Sequence, residues 1–143
     1  MDPQLRREII LNNYQNPYHK GFPEDDENYI RIRTNNESCI DDLTILLKVE
    51  DGVIQKIYFE GDACAISTSA TSIMASQFEG KTLQEAKSLL EEYEAMLDEK
   101  PYHEEVLEEL NAYDEIYKQP NRKKCALLPF RALHEVLKQN GIE

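Results

Sequence analysis

The sequence has few cysteines, a shortage of positive charge and no long apolar run, and each deficit narrows what the chain can be. Three cysteines in 143 residues are too few, and odd in number, for a disulfide framework, so they are expected as thiols that are buried, reactive or metal-bound. Sixteen Lys and Arg against 28 Asp and Glu give a net charge of -12. Such a surface has no bulk field for phosphate backbones or anionic lipid, and neither nucleic acid nor a membrane is expected as a partner. No stretch of 18 apolar residues occurs, and the start Met1-Asp2-Pro3-Gln4-Leu5-Arg6-Arg7 lacks the apolar core of a secretory signal, which points to the cytoplasm. There is no internal repeat and no low-complexity linker, so residues 1–143 are expected to form one domain.

What is present is a change of period along the chain. Leu5, Ile9 and Ile10 at helical spacing predict a helix ending before Asn16-Pro17. From Tyr29 the period becomes two, with Tyr29, Arg31 and Arg33 on one face and Ile30 and Ile32 on the other. Leu43–Val49 and Val53–Phe59 read as two further strands joined by Glu50-Asp51-Gly52, a hairpin signal because Gly accepts the positive φ of a tight turn. After Gly61 the pattern is helical. A small-residue helix over residues 65–75 is followed by Thr82-Leu83-Gln84-Glu85, which has capping-box spacing. A helix carrying Val106, Leu107, Leu110, Tyr113 and Ile116 follows Pro101, and a last helix runs from about Cys125 to Asn140. The expected fold is α+β: a three-stranded antiparallel sheet with helices packed on one side.

All three cysteines fall at element ends: Cys39 in a polar loop after the first strand, Cys64 at the start of the small-residue helix, Cys125 at the start of the last helix. For a lone cysteine a small buried hydrophobe is the default reading. Two sulfurs at helix N-termini would instead feel the positive end of the backbone dipole, which favours the thiolate that binds metals and attacks sulfur. Zinc takes about four ligands of sulfur, imidazole or carboxylate type. Asp41 is the natural fourth, because residues i and i+2 of an extended segment project to the same side; a bulge in the loop would substitute Asp42.

Several segments together resemble the SufU branch of the SufU/IscU family of iron-sulfur cluster assembly proteins, related to the NifU N-terminal domain. Asn16-Pro17-Tyr18-His19-Lys20-Gly21 is similar to its N-P-x-x-K-G signature, Cys39-Ile40-Asp41 stands where it has C-G-D, and Gly61-Asp62-Ala63-Cys64-Ala65-Ile66-Ser67 where it has G-x-G-C-x-I-S. Cys125-Ala126-Leu127-Leu128 resembles the third cysteine region, with Lys124 and Arg122 before it as in SufU-type proteins, where IscU-type scaffolds have His next to the cysteine. The stretch near residues 91–111 resembles the helical insertion of SufU proteins. Ile40 and Ala63 depart from the family glycines.

The resemblance implies a zinc site made by Cys39, Asp41, Cys64 and Cys125, and a role as sulfur acceptor from a SufS-type cysteine desulfurase. A desulfurase His would displace one cysteine from zinc, and the freed thiol, for which Cys39 is chosen, would take the persulfide sulfur. The chain is then a sulfur-transfer partner rather than a stand-alone enzyme, passing sulfur toward downstream iron-sulfur assembly proteins. The alternative is a scaffold that assembles and transfers an iron-sulfur cluster on the same cysteines. Residues 85–115 hold twelve acidic side chains against Lys87 and Lys100, so the net charge describes mainly this stretch. It reads as a solvated helix face, or more sharply as a surface that orients the desulfurase.

Overall fold

The computed structural model describes residues 1–36 and 40–142. Helix α1 (Pro3–Gln15) starts at Asp2, whose side chain accepts the N–H of Leu5, with proline in the first turn; proline is tolerated there because its missing N–H would have had no intrahelical partner. Strands β1 (Ile30–Asn35), β2 (Asp42–Glu50) and β3 (Val53–Asp62) form an antiparallel sheet in the order β1-β2-β3. The β2–β3 turn places Asp51 at φ 55° and Gly52 at φ 72°, the two positive values of the hairpin turn that Asp-Gly forms best.

Alternation assigns the faces of the sheet. Leu43, Ile45, Leu47, Ile57 and Phe59 point into the core, with Ile30 and Ile32 against it. Arg31 and Arg33 project from the other face. There Leu46 lies between its ladder partners Arg31 and Tyr58.

Helix α2 (Ala65–Phe78) is the central layer, buried almost throughout. Some of its hydroxyls bond back to carbonyls of the same helix, as Thr71 does to Ser67 and Ser76 to Ile73, and others fasten neighbours. Ser72 Oγ donates to Asn13 Oδ1 of α1 and accepts the N–H of Tyr18, and Ser69 Oγ shares a hydrogen bond with Tyr113 Oη. Small side chains let elements approach this helix closely, which is how a sequence of mediocre helix propensity is held helical by its surroundings.

Helix α3 (Leu83–Leu97) begins with the expected capping box between Thr82 and Glu85. Its inward face brings Tyr93 against Phe130, at 4.5 Å between ring centroids, and edge-on to Tyr113. The single helix expected after Pro101 is instead one turn, α4 (Glu104–Leu107), followed by 3₁₀ turns over Glu108–Tyr113 and Ile116–Lys118. Glu108 has φ 46°, so the chain turns back there, and Val106 is left exposed while Leu107, Leu110 and Tyr113 are buried.

The carboxy-terminal segment is likewise two helices, α5 (Pro120–Leu127) and α6 (Phe130–Gln139). Pro129 separates them, and Pro120 opens α5 rather than merely ending what precedes it. Buried side chains from β2, β3, α2, α3, α6 and the 3₁₀ turns join in one continuous core. Among the described residues no helix is long and apolar enough to cross a membrane.

Candidate metal and sulfur site

The end of the sheet, the start of α2 and the end of α5 meet at one point. Strand β3 runs on to Asp62 opposite Asp42, and Gly61 makes that ladder possible. Its φ is 129°, and a Cβ at this position would stand 2.1 Å from the carbonyl oxygen of Asp42. Only glycine allows so close a backbone approach in that conformation. Ala63, in contrast, has no positive φ, so the family glycine is not required there.

Cys64 caps α2, its Sγ accepting the N–H of Ser67 at 3.4 Å. Its own backbone N–H donates to Asp41 Oδ1 at 2.7 Å. Asp41 is 2% exposed, and its second oxygen, Oδ2, receives the hydroxyl of Ser67 at 2.5 Å and faces Cys64 Sγ at 3.8 Å. Cys125 completes the group: one ligand atom from each of Asp41, Cys64 and Cys125 lies within 4.8 Å of the others. Cys39 lies outside the described residues.

Asp41, and not Asp42, is the carboxylate beside the sulfurs. Asp42 belongs to β2, and both its oxygens are held on the exposed side of the sheet by Arg33, at 2.8 and 2.7 Å. That guanidinium keeps the Asp42 carboxyl below the usual carboxylate range, mainly by direct hydrogen bonding.

Cys125 corrects an expectation. It sits in the last turn of α5 rather than at a helix start, so the dipole presents its negative end and does not favour a thiolate. Burial, and then hydrogen bonding to Asp41 and Cys64, push the Cys125 thiol well up.

That donor set fits zinc. Ligand atoms around a tetrahedral ion at roughly 2.0–2.3 Å stand about 3.3–3.8 Å apart, within the spread of these three side chains. A divalent cation held there would offset the burial that pushes the Cys125 thiol up. Of the carbonyls at the end of α5, which have no partner inside the helix, that of Ala126 accepts from Tyr93 Oη at 2.8 Å, and that of Cys125 lies 3.1 Å from Ser67 Oγ.

A cavity of about 720 Å³ opens beside the group, lined by Cys64, Cys125, Ile66 and Arg122 and by Arg7 and Ile10 of α1. Of the basic run before Cys125, Lys123 is paired with Asp98 at 2.7 Å, whereas Arg122 borders this cavity. None of the three histidines joins the site: His19, His103 and His134 pair with Glu79, Glu92 and Glu94.

Two features escaped the sequence reading. Ser67 was visible only as part of a motif, although its place three residues after the capping Cys64 puts it back over the cap. The signature Tyr18-His19 segment forms a clasp at the other end of α2. His19, at φ 56°, is stacked between Tyr18 and Tyr58, and Glu79 binds Tyr18 Oη at 2.6 Å, His19 Nδ1 at 2.8 Å and the N–H of Ile57 at 2.8 Å.

An α+β chain with a carboxylate and two sulfurs gathered at the end of its sheet matches the NifU-like N terminal domain family over residues 5–126, and it belongs to that family. Among its relatives is the zinc-dependent sulfurtransferase SufU of Bacillus subtilis, 32% identical over 139 residues that span 96% of this chain and 92% of the relative. The iron-sulfur cluster assembly scaffold protein IscU of Thermotoga maritima is 38% identical over 104 residues, 73% of each chain. A solved structure from Fervidobacterium islandicum AW-1, described as an iron-sulfur cluster assembly scaffold protein for the SUF system, superposes with a TM-score of 0.78 at 31% identity, covering 89% of this chain and 92% of its own.

Proposed function

We propose that this protein serves iron-sulfur cluster assembly as a zinc-dependent acceptor of sulfur from a cysteine desulfurase. The observation that carries the reading is the meeting of Asp41, Cys64 and Cys125 within 4.8 Å in a chain similar over nearly its whole length to a zinc-dependent sulfurtransferase. Asp41, Cys64 and Cys125 are the proposed zinc ligands, with Cys39, two residues before Asp41 in the sequence, as the fourth ligand and the acceptor thiol. Zinc bound there supplies the positive charge that keeps clustered sulfurs deprotonated and blunts their reaction with oxidants.

In the transfer itself the Cys39 thiolate attacks the outer sulfur of a persulfide on the desulfurase. The S–S bond to the enzyme breaks, a new S–S bond forms on Cys39, and the enzyme's cysteine leaves as thiolate, so nothing is oxidised or reduced overall. Asp41 and the α2 terminus hold the remaining sulfurs in place, and the cavity beside Arg122 gives the desulfurase an approach. Downstream iron-sulfur assembly proteins are the proposed recipients. Chemistry that needs reduced thiols suits a reducing compartment, and the cytoplasm is the proposed location.

Likeness to IscU scaffolds favours a second reading, in which the same residues hold a cluster. Against it stand Lys124 next to Cys125 and three histidines engaged with glutamates elsewhere. Alanine release by the cognate desulfurase, with and without this protein, tests the first reading. It is expected to rise severalfold and to fall back in Cys39→Ala; no stimulation would refute it. Anaerobic reconstitution followed by cluster transfer to an apo-acceptor would establish the second.

A further inference from the structure

Ser67 is 0% exposed and touches both ends of the candidate site from a single turn of helix. Its N–H donates to Cys64 Sγ, and its hydroxyl lies 2.5 Å from Asp41 Oδ2 and 3.1 Å from the carbonyl oxygen of Cys125. A serine hydroxyl has one proton and two lone pairs, so it donates to one of these oxygens at a time. Asp41 Oδ1 is already committed to the N–H of Cys64. The other oxygen, the one nearer the sulfur, has the Ser67 hydroxyl against it at 2.5 Å, a closer contact than Cys64 Sγ at 3.8 Å.

We propose that Ser67 is a positioning residue for metal binding, fixing the Asp41 carboxylate so that Oδ2 faces Cys64 and Cys125. A buried carboxylate with one oxygen anchored still turns about its remaining torsions, and a ligand that must be brought into place costs affinity each time the ion binds. Ser67 removes that freedom, because its own rotamer is locked between Asp41 and Cys125 and its backbone is part of α2. A carboxylate oxygen has two lone pairs, so Oδ2 can give one to a cation while the other keeps the Ser67 proton, and the hydroxyl holds the ligand in place with the ion bound.

The inference rests on the zinc reading, and its test separates the two. Zinc affinity is measured by competition with a chromogenic chelator for the parent, Ser67→Ala, Ser67→Thr, Asp41→Ala and the Ser67→Ala/Asp41→Ala double variant. Loss of an outer partner of a metal ligand is expected to weaken Ser67→Ala about 10- to 100-fold. Ser67→Thr, which keeps the hydroxyl, recovers most of that, and Ser67→Ala adds nothing once Asp41 is gone. Cobalt(II) substituted into Ser67→Ala gives a second readout that is independent of the threonine variant's folding. The sulfur-to-cobalt charge-transfer band keeps its intensity, since the thiolates remain, while the ligand-field bands move. Parent-like affinity in Ser67→Ala, or an equal loss with and without Asp41, overturns the role of Ser67 alone. A parent that takes up no zinc overturns both.

Discussion

Cys64 and Asp41 are joined by the backbone N–H of the first and Oδ1 of the second, at 2.7 Å, so the residue that caps α2 also orients the carboxylate at the end of the loop before β2. Asp42, one residue on, lies on the other side of the strand in the grip of Arg33. The two aspartates should therefore separate cleanly. Asp41→Ala is expected to lower zinc affinity by roughly 100-fold, comparable to the strongest effects of disturbing a metal ligand's surroundings. Asp42→Ala removes only an exposed ion pair, of the kind that contributes little to stability, and leaves zinc affinity essentially as it was. Chelator competition on both variants checks this, and the reverse order would make Asp42 the ligand.

Gly61 has a sharper steric role than its place in a strand suggests. A methyl group there meets the Asp42 carbonyl and must also adopt φ 129°. Gly61→Ala is expected to destabilise the protein by about 2–4 kcal/mol, through backbone strain and the displacement of β3 from β2. The site should suffer with the fold, since β3 delivers Cys64 to Asp41. Urea denaturation of the zinc-free proteins gives the difference directly; a loss below about 0.5 kcal/mol, the range of ordinary surface changes, would contradict the close approach.

The clasp at the far end of α2 has a signature in the alkaline range. The hydrogen bond from Tyr18 to Glu79, followed by burial and the Glu79 charge, pushes the Tyr18 phenol up from 10.0 to about 12. Because the folded value is raised, the stabilising contribution of Tyr18 is complete below pH 10 and is lost as pH rises from 10 toward 12. Titration followed by tyrosinate absorbance should show that Tyr18→Phe removes a late-ionising group, and that Glu79→Gln brings this group back toward 10. A Tyr18 that ionises near 10 in the parent would rule the clasp out.

Tyr93 ties α3 to the segment that carries Cys125. Its hydroxyl meets the otherwise unpaired carbonyl of Ala126 inside the core. Tyr93→Phe keeps the ring packing and leaves that carbonyl without a donor, a loss of about 1–2 kcal/mol in thermal or urea unfolding. An unchanged midpoint would mean that the carbonyl finds another donor.

The sequence made the sheet legible because its period is enforced by burial on one face: Ile30, Ile32, Leu43, Ile45 and Leu47 alternate with residues that face outward, and Asp51-Gly52 can only turn. The capping box at Thr82 and the place of Cys64 at a helix start were legible for the same local reason. What failed was continuity of helices. Leu110, Tyr113 and Ile116 repeat at intervals of three, a spacing that 3₁₀ turns share with α-helix, and Glu108 in the left-handed region leaves no mark in side-chain pattern. The break at Pro129 was in plain sight, yet a proline at a junction can start a helix as well as end one.

That miss mattered for chemistry, because it reversed the dipole expected at Cys125. The candidate site itself was only partly readable. The spacing of Asp41, Cys64 and Cys125 says little, and likeness to a family brought them together. Which aspartate faces the sulfurs is decided by ladder register, with Asp42 opposite both Asn35 and Asp62. Ser67 depends on long-range packing of α5 against α2 that no local pattern encodes.

The central claim is that a thiol of this chain receives sulfur from a cysteine desulfurase, and intact-mass spectrometry after brief incubation with the desulfurase and cysteine tests it most directly. One added sulfur, about 32 Da as a reversible persulfide, is the predicted result, removed by reductant and absent from Cys39→Ser. A parent chain whose mass is unchanged while the desulfurase carries its own persulfide would contradict it.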